Sequence, residues 1–232
     1  MTLKEQIEIL SGRISAPRFA KMRRAAANRT RRLTVVLEDV FQAHNAAAVL
    51  RNCDAFGLQE AHFIENKYRL RISHNVDMGV SKWQDLHRYT SPIARYCKNG
   101  MPKDFSEHPE EAENTRAALC AVKARGYVLA ASVLGAEASI DDVPVDRPVA
   151  LLIGTELTGL SAAALEMADF KFAMEMSGFA QSLNLSVFTG ICLERLSSKM
   201  RGLPDWNLPE EERDELLLNW LKISVANWRD FV

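Results

Sequence analysis

Cysteine is scarce and scattered. The four cysteines (Cys53, Cys97, Cys120 and Cys192) are spread over 232 residues, with no CxxC pair and no ligand-like spacing to the five histidines. That argues against a disulfide-stapled fold and a structural zinc site, and it fits a reducing, cytoplasmic setting. No apolar run approaches the roughly 20 residues that a bilayer span requires. Met1–Ile14 is charged from its start and lacks an apolar core, so neither a membrane segment nor a secretory signal is expected. Internal repeats are absent. No GxGxxG follows the first apolar strand, which speaks against a Rossmann-type dinucleotide site. What remains is ordinary for a soluble globular protein, with 47% apolar and 25% charged residues in a length suited to one α/β domain with terminal extensions.

A net charge of −1 conceals an uneven distribution. From Arg13 to Arg32 there are eight basic residues (Arg13, Arg18, Lys21, Arg23, Arg24, Arg29, Arg31 and Arg32) and no acidic one. Compensating acids gather at Glu107–Glu113 and Glu210–Glu215. A basic arm of this kind suits contacts to nucleic-acid phosphates, each contributing through counterion release. The competing interpretation is a solvated helix face.

The stretch Val149–Gly190 is the most informative. Val149–Ile153 is an all-apolar run suited to a strand buried on both faces. Gly154-Thr-Glu-Leu-Thr-Gly159 then forms a loop whose glycines permit positive φ or close backbone approach. Ser161 can cap a helix running to about Ala168. Phe170–Met176 reads as a second strand, and Ser177–Gln181 as a loop leading into a Ser-capped helix, SLNLSVFTGICLERL. Ligands in α/β sheets bind outside the carboxyl ends of strands, so both loops are candidate walls of one site. Ser182 and Asn184 are either first-turn capping residues or part of that site.

Upstream, a helix broken near Pro17 precedes a strand at Leu33–Leu37. A helix at Asn45–Phe56 is closed by Gly57, and a further strand covers Ala61–Ile64. Lys67–His87 reads as loop with a short helix, and Met101–Pro109 as loop. Glu110–Arg125 is a helix ended by Gly126, Tyr127–Val133 a strand, and Pro209–Trp228 an amphipathic helix. Alternating strands and helices predict a mainly parallel sheet with helices on both faces.

Three motifs occur in order: His44-Asn-Ala-Ala-Ala-Val-Leu-Arg-Asn-Cys-Asp-Ala-Phe-Gly57, GTELTGL and SLNLSV. Together they make the chain resemble the SpoU/TrmH family of RNA 2′-O-ribose methyltransferases in the SPOUT superfamily, and the basic arm and helical tail resemble its tRNA guanosine-18 branch. The resemblance implies a C-terminal deep trefoil knot, a homodimer and S-adenosylmethionine as cofactor. It divides the chain into a basic extension (1–32), a catalytic domain (33–200) and a helical tail (201–232). It places the cofactor on Ser132, Gly154, Gly159, Met174 and Leu183. Arg51, Asn45, Glu156, Ser182 and Asn184 become the catalytic set, and Arg23, Arg24, Arg32 and His44 face RNA. Glu175 stands where family members commonly carry Pro, and the region of Tyr96–Glu113 looks inserted. No metal is implied.

Transfer of a methyl group to a ribose hydroxyl requires a held sulfonium, an aligned oxygen and somewhere for the hydroxyl proton to go. A guanidinium keeps its proton at physiological pH, so Arg51 is read as stabilising developing alkoxide charge rather than acting as a base. Other interpretations of the same motifs are an rRNA 2′-O-methyltransferase and a non-catalytic RNA-binding homologue. The second would require loss of Arg51, Glu156 or Asn184, and all three are present.

Overall fold

Short β-branched runs and longer amphipathic runs alternate along the chain. In the computed structural model, which describes residues 1–70, 77–96 and 108–232, they become strands and helices in that alternation. In chain order these are α1 (Leu3–Ser11), α2 (Ala16–Ala27), β1 (Leu33–Glu38), α3 (Ala43–Ala55), β2 (Glu60–Glu65), β3 (Tyr68–Arg69), β4 (Asp85–Thr90) and β5 (Arg95–Tyr96). There follow α4 (Pro109–Ala124), β6 (Val128–Ser132), β7 (Val149–Ile153), α5 (Ala162–Met167), β8 (Phe170–Phe172), α6 (Leu185–Met200) and α7 (Glu210–Ser224). Two compact units result: Arg32–Gly202, which contains the sheet, and Met1–Arg31 with Leu203–Val232.

The main sheet has the order β4-β2-β1-β7-β6-β8, with every neighbouring pair parallel. β1 and β7 pair from Leu33–Val149 to Leu37–Ile153, and both strands are buried throughout, as expected where helices cover both faces. One face packs Val36, Ile64, Leu129, Ala131, Ala150 and Leu152 against Ala118, Leu119 and Val122 of α4 and Ala164 of α5. Residues of opposite parity point to the other face, where α3 lies on β1 and β2 and packs against α6. From β1 the chain builds outward to β2 and β4, then crosses to β6 on the other side and fills in β7 between β6 and β1. That reversal opens a crevice beyond the carboxyl ends of β1 and β7.

Several expectations need correcting. The expected loop and short helix over Lys67–His87 contain β3, a 3₁₀ turn at Val80–Trp83 and the start of β4. β4 reads DLHRYT because it is the polar outer strand, with one neighbour among the described residues. Residues 71–76 of that stretch, and 101–107 of the expected loop before α4, lie outside the described residues. β8 ends at Phe172 instead of Met176, although Ala173 still bridges to Ser139. α6 begins at Leu185 and is capped by Asn184, whose Oδ1 accepts from Ser186 N at 3.0 Å; Ser182 is not its cap. Ser161 does cap α5, with Ala164 N donating to its Oγ at 3.1 Å.

In the helical unit, the Thr2 hydroxyl and Glu5 carboxylate close a capping box on α1. The basic arm proves chemically divided. Arg29 is buried with its guanidinium 5.3 Å from the Trp220 ring centre, Arg31 pairs with Glu212 at 3.4 Å, and Arg13 lies over Phe231. Arg18 donates to the Ser224 hydroxyl. Lys21, Arg23 and Arg24 are exposed on α2.

Candidate active site

The loop after β7 is folded tightly on itself. Thr155 N donates to Gly159 O at 3.1 Å and Gly159 N donates to Thr155 O at 3.0 Å. Both glycines are needed, for different reasons. Gly159 has φ +71, in the left-handed region where a side chain is strained. At Gly154 an added Cβ would lie 2.1 Å from the carbonyl carbon and oxygen of Gly159. The close approach expected there is therefore made to the loop's own backbone.

Beside this loop lies a cavity of about 370 Å³. Its walls come from the end of β6, the loop after β7, the segment after β8 and the approach to α6. All five residues assigned to the cofactor line it: Ser132, Gly154, Gly159, Met174 and Leu183. Glu156 and Ser182 of the catalytic set line it too. Leu134, Leu165, Phe172 and Phe188 supply much of an apolar wall that the motifs did not announce. Nothing in local sequence marks these four, because sheet order and helix packing bring them together. No histidine or cysteine lines the cavity among the described residues. Cys192 on α6 is buried, and burial pushes its thiol up to about 12, so it is a packing residue.

Glu156 links the three motifs. Its Oε1 accepts from Asn45 Nδ2 at 3.0 Å, Asn184 Nδ2 at 3.3 Å and the backbone N of Leu185 at 3.2 Å. Asn184 Nδ2 also lies 3.2 Å from Asn45 Oδ1 as donor, and Asn45 Nδ2 donates to Gln42 Oε1 at 2.7 Å. Gln42 is a participant that the sequence did not single out. Asn45 is buried at the start of α3, next to β1, so the β1–β7 pairing is what carries it to Glu156. Ser182 is exposed and Ser186, instead, donates its hydroxyl to Asn184 Oδ1 at 2.7 Å.

Arg51 stands apart. It is exposed on α3, does not line the cavity, and makes no hydrogen bond or ion pair with a described residue. Helix geometry puts it about 9 Å beyond Asn45 along the axis and roughly 120° around it. His44 is exposed at the start of the same helix. Arg32 is half-buried and donates to the Val145 carbonyl at 2.8 Å, whereas Arg23 and Arg24 are open to solvent. Glu175 is exposed in the segment after β8.

Residues 32–194 match the SpoU rRNA Methylase family. The tRNA (guanosine(18)-2'-O)-methyltransferase of Borreliella burgdorferi is 31% identical over 97% of this chain and 94% of its own length. Among solved structures, the A. aeolicus TrmH/SpoU tRNA modifying enzyme superposes with a TM-score of 0.70 at 27% identity, covering 91% of this chain and 98% of that one. The SpoU methyltransferase AviRb of Streptomyces viridochromogenes, in complex with AdoMet, shares the fold at a TM-score of 0.53 and 20% identity over 75% of this chain and 60% of that one. With the three motifs joined on Glu156 and the match running through all of them, the chain belongs to the SpoU rRNA Methylase family.

Proposed function

We propose that this chain methylates the ribose 2′-hydroxyl of guanosine 18 in tRNA, with S-adenosylmethionine as methyl donor. The observation that carries the reading is the cavity bounded by Ser132, Gly154, Gly159, Met174 and Leu183, one wall of which, Glu156, is bonded to Asn45 and Asn184. Its volume lies within the range of small-molecule sites. Its apolar surfaces suit an adenine ring and a thioether, and the backbone groups of the folded loop offer hydrogen bonds to polar edges. The choice of tRNA rests on the name of the Borreliella burgdorferi relative, which matches over nearly the whole of both chains.

When bound, the cofactor supplies an electrophilic methyl group. The chain's own residues then have to align the ribose oxygen and stabilise the charge it develops. Asn45, Glu156 and Asn184 hold the start of α3, the cavity loop and the cap of α6 in one arrangement, and positioning of this kind supplies a large share of rate acceleration. Arg51 stabilises the developing alkoxide and contacts a neighbouring phosphate through its planar fork. It faces away from the Asn45 side of its own helix, which favours a homodimer in which Arg51 serves the cavity of a second copy. Val187 and Ile191, four residues apart on α6 and 50% and 37% exposed, give such a dimer an apolar contact surface.

Residues 33–200 would carry the transfer chemistry, with the chain threaded as a trefoil knot beneath the cavity. The flanking segments 1–32 and 201–232 would serve RNA, chiefly through Arg23 and Arg24, with His44 beside the site. No metal enters this scheme, and the reaction belongs to the cytoplasm, where tRNA is processed. The test is transfer of a labelled methyl group to bulk tRNA and to rRNA, followed by nucleotide mapping. Label on a ribose at position 18 is expected. Label on rRNA alone, or on a base, overturns the reading.

A further inference from the structure

Far along β2 from the cavity loops, three side chains converge that lie scattered in sequence. Glu60 and His62, two apart on β2, share one face of the sheet. His87 is the register partner of His62 on β4. The two imidazoles stack with ring centres 4.7 Å apart, and ligand atoms from the three residues all lie within 4.8 Å of one another. Glu60 and His62 have fully buried side chains, while that of His87 is 31% exposed, leaving a way in from solvent.

Two of the separations match those between ligands of one metal ion. His62 Nε2 is 3.4 Å from Glu60 Oε1, and His87 Nε2 is 3.4 Å from Glu60 Oε2. Two ligands bound tetrahedrally to zinc at ~2.0–2.1 Å stand roughly 3.4 Å apart. The His62 contact is not aligned as a hydrogen bond, so this buried nitrogen is left without one while aimed into the cluster. On the other side of the ring, His62 Nδ1 lies 3.3 Å from the Tyr89 hydroxyl, the kind of partner that fixes the tautomer of a ligating imidazole.

We propose that Glu60, His62 and His87 form a binding site for one zinc-class divalent cation, distinct from the methyl-transfer cavity. Positive charge already occupies the neighbourhood. Arg125, which follows α4, donates from Nη2 to Glu60 Oε2 at 2.5 Å and from Nε to Oε1 at 3.4 Å. The Tyr127 hydroxyl donates to Oε1 at 2.7 Å. Both carboxylate oxygens are thus engaged, so a metal at Glu60 would take the place of the Arg125 donors. The Arg125 side chain is 40% exposed, at the solvent edge of the cluster, which makes it the cation's competitor for Glu60.

The competition makes the test specific. Full-length protein stripped with EDTA is titrated with Co²⁺, whose visible absorption reports ligand geometry. One equivalent per chain is expected in the wild type. His87→Ala, at the exposed edge of the cluster, should abolish the visible bands with the fold intact by circular dichroism. Tyr89→Phe should weaken binding by roughly 10- to 100-fold, the usual effect of losing a partner of a ligating imidazole. Arg125→Ala should bind Co²⁺ more tightly than the wild type and regain thermal stability when it is added. No stoichiometric binding by the wild type, bands of equal strength in His87→Ala, or weaker binding in Arg125→Ala each overturns the proposal. None of these outcomes bears on methyl transfer, which is assayed separately.

Discussion

Replacing Gly154 by alanine is expected to abolish tight S-adenosylmethionine binding while leaving the sheet folded. The new Cβ would sit 2.1 Å from the carbonyl carbon and oxygen of Gly159 and 2.3 Å from Leu160 N, all backbone atoms. Comfortable carbon contacts begin near 3.5 Å, so the opposing strand of the loop must retreat by more than about 1 Å. Retreat breaks the two backbone bonds between Thr155 and Gly159, worth about 1 kcal/mol each. The melting temperature should therefore fall by roughly 4–8 °C, since each kcal/mol shifts a domain of this size by about 2–4 °C. Binding suffers as well. Residues Gly154–Leu160 contribute seven of the 21 residues lining the cavity, so displacing them removes a third of its wall. A loss of about 1.4–2.8 kcal/mol corresponds to a tenfold to hundredfold rise in Kd. Calorimetry measures the affinity, and circular dichroism confirms the fold. Gly159→Ala is the control: no atom lies within 4 Å of its added Cβ, and its cost is the left-handed backbone alone, about 1–2 kcal/mol, with the wall left standing. Wild-type cofactor affinity in Gly154→Ala would refute the reasoning.

Further expectations follow from other parts of the molecule. Arg51→Ala should slow single-turnover methyl transfer by roughly a hundredfold, the scale of losing a transition-state donor, with unchanged cofactor affinity; Arg51→Lys should recover only part of the rate. Full activity in Arg51→Ala would remove this residue from the chemistry. Arg23→Gln with Arg24→Gln should lower tRNA affinity and flatten its dependence on salt by about 0.7–0.9 per lost phosphate contact, and an unaltered slope would mean a merely solvated face. Asp39 makes a pH-dependent contribution. Burial, with the charge of Glu38 adding, pushes its carboxyl from 3.8 to about 6 against three backbone N–H donors. The folded state thus holds a proton that the unfolded state releases between those values, and stability is lost as pH rises through about 6. Asp39→Asn can keep the same acceptor and tolerates the residue's φ of 51, so it should raise the melting temperature at pH 8 and leave it nearly unchanged at pH 4. Equal effects at both pH values would show that ionisation is not the cause.

The strands and helices of the core were legible where side-chain pattern and burial agree. LTVVL and VALLI are β-rich and lie in the middle of the sheet, buried on both faces, so nothing in their composition competes with strand formation. DLHRYT was illegible for the opposite reason. As an outer strand with one partner among the described residues it keeps polar residues, and its strand character comes from pairing with β2 rather than from its own pattern. The cap of α6 was misplaced by two residues because Ser182 and Asn184 are both good caps, and the choice between them was made by the bonds that tie Asn184 to Glu156 and Asn45. The basic arm looked uniform because charge can be counted in a sequence. Its division into buried, paired and exposed arginines depends on where Trp220, Glu212 and Phe231 come to lie.

By itself the sequence determined the family, through three ordered motifs, and by that resemblance five of the residues that line the cavity. It did so because three motifs in a fixed order identify a family, and the resemblance carries the family's cofactor positions onto those residues. Only the tertiary structure decided which distant groups meet. Parallel pairing of β1 with β7 carries Asn45 to Glu156 across 111 residues of chain. Pairing of β2 with β4 likewise sets His87 beside His62 and Glu60. Such encounters rest on sheet order and register, which arise from the packing of the whole chain, so no spacing along the chain could announce them.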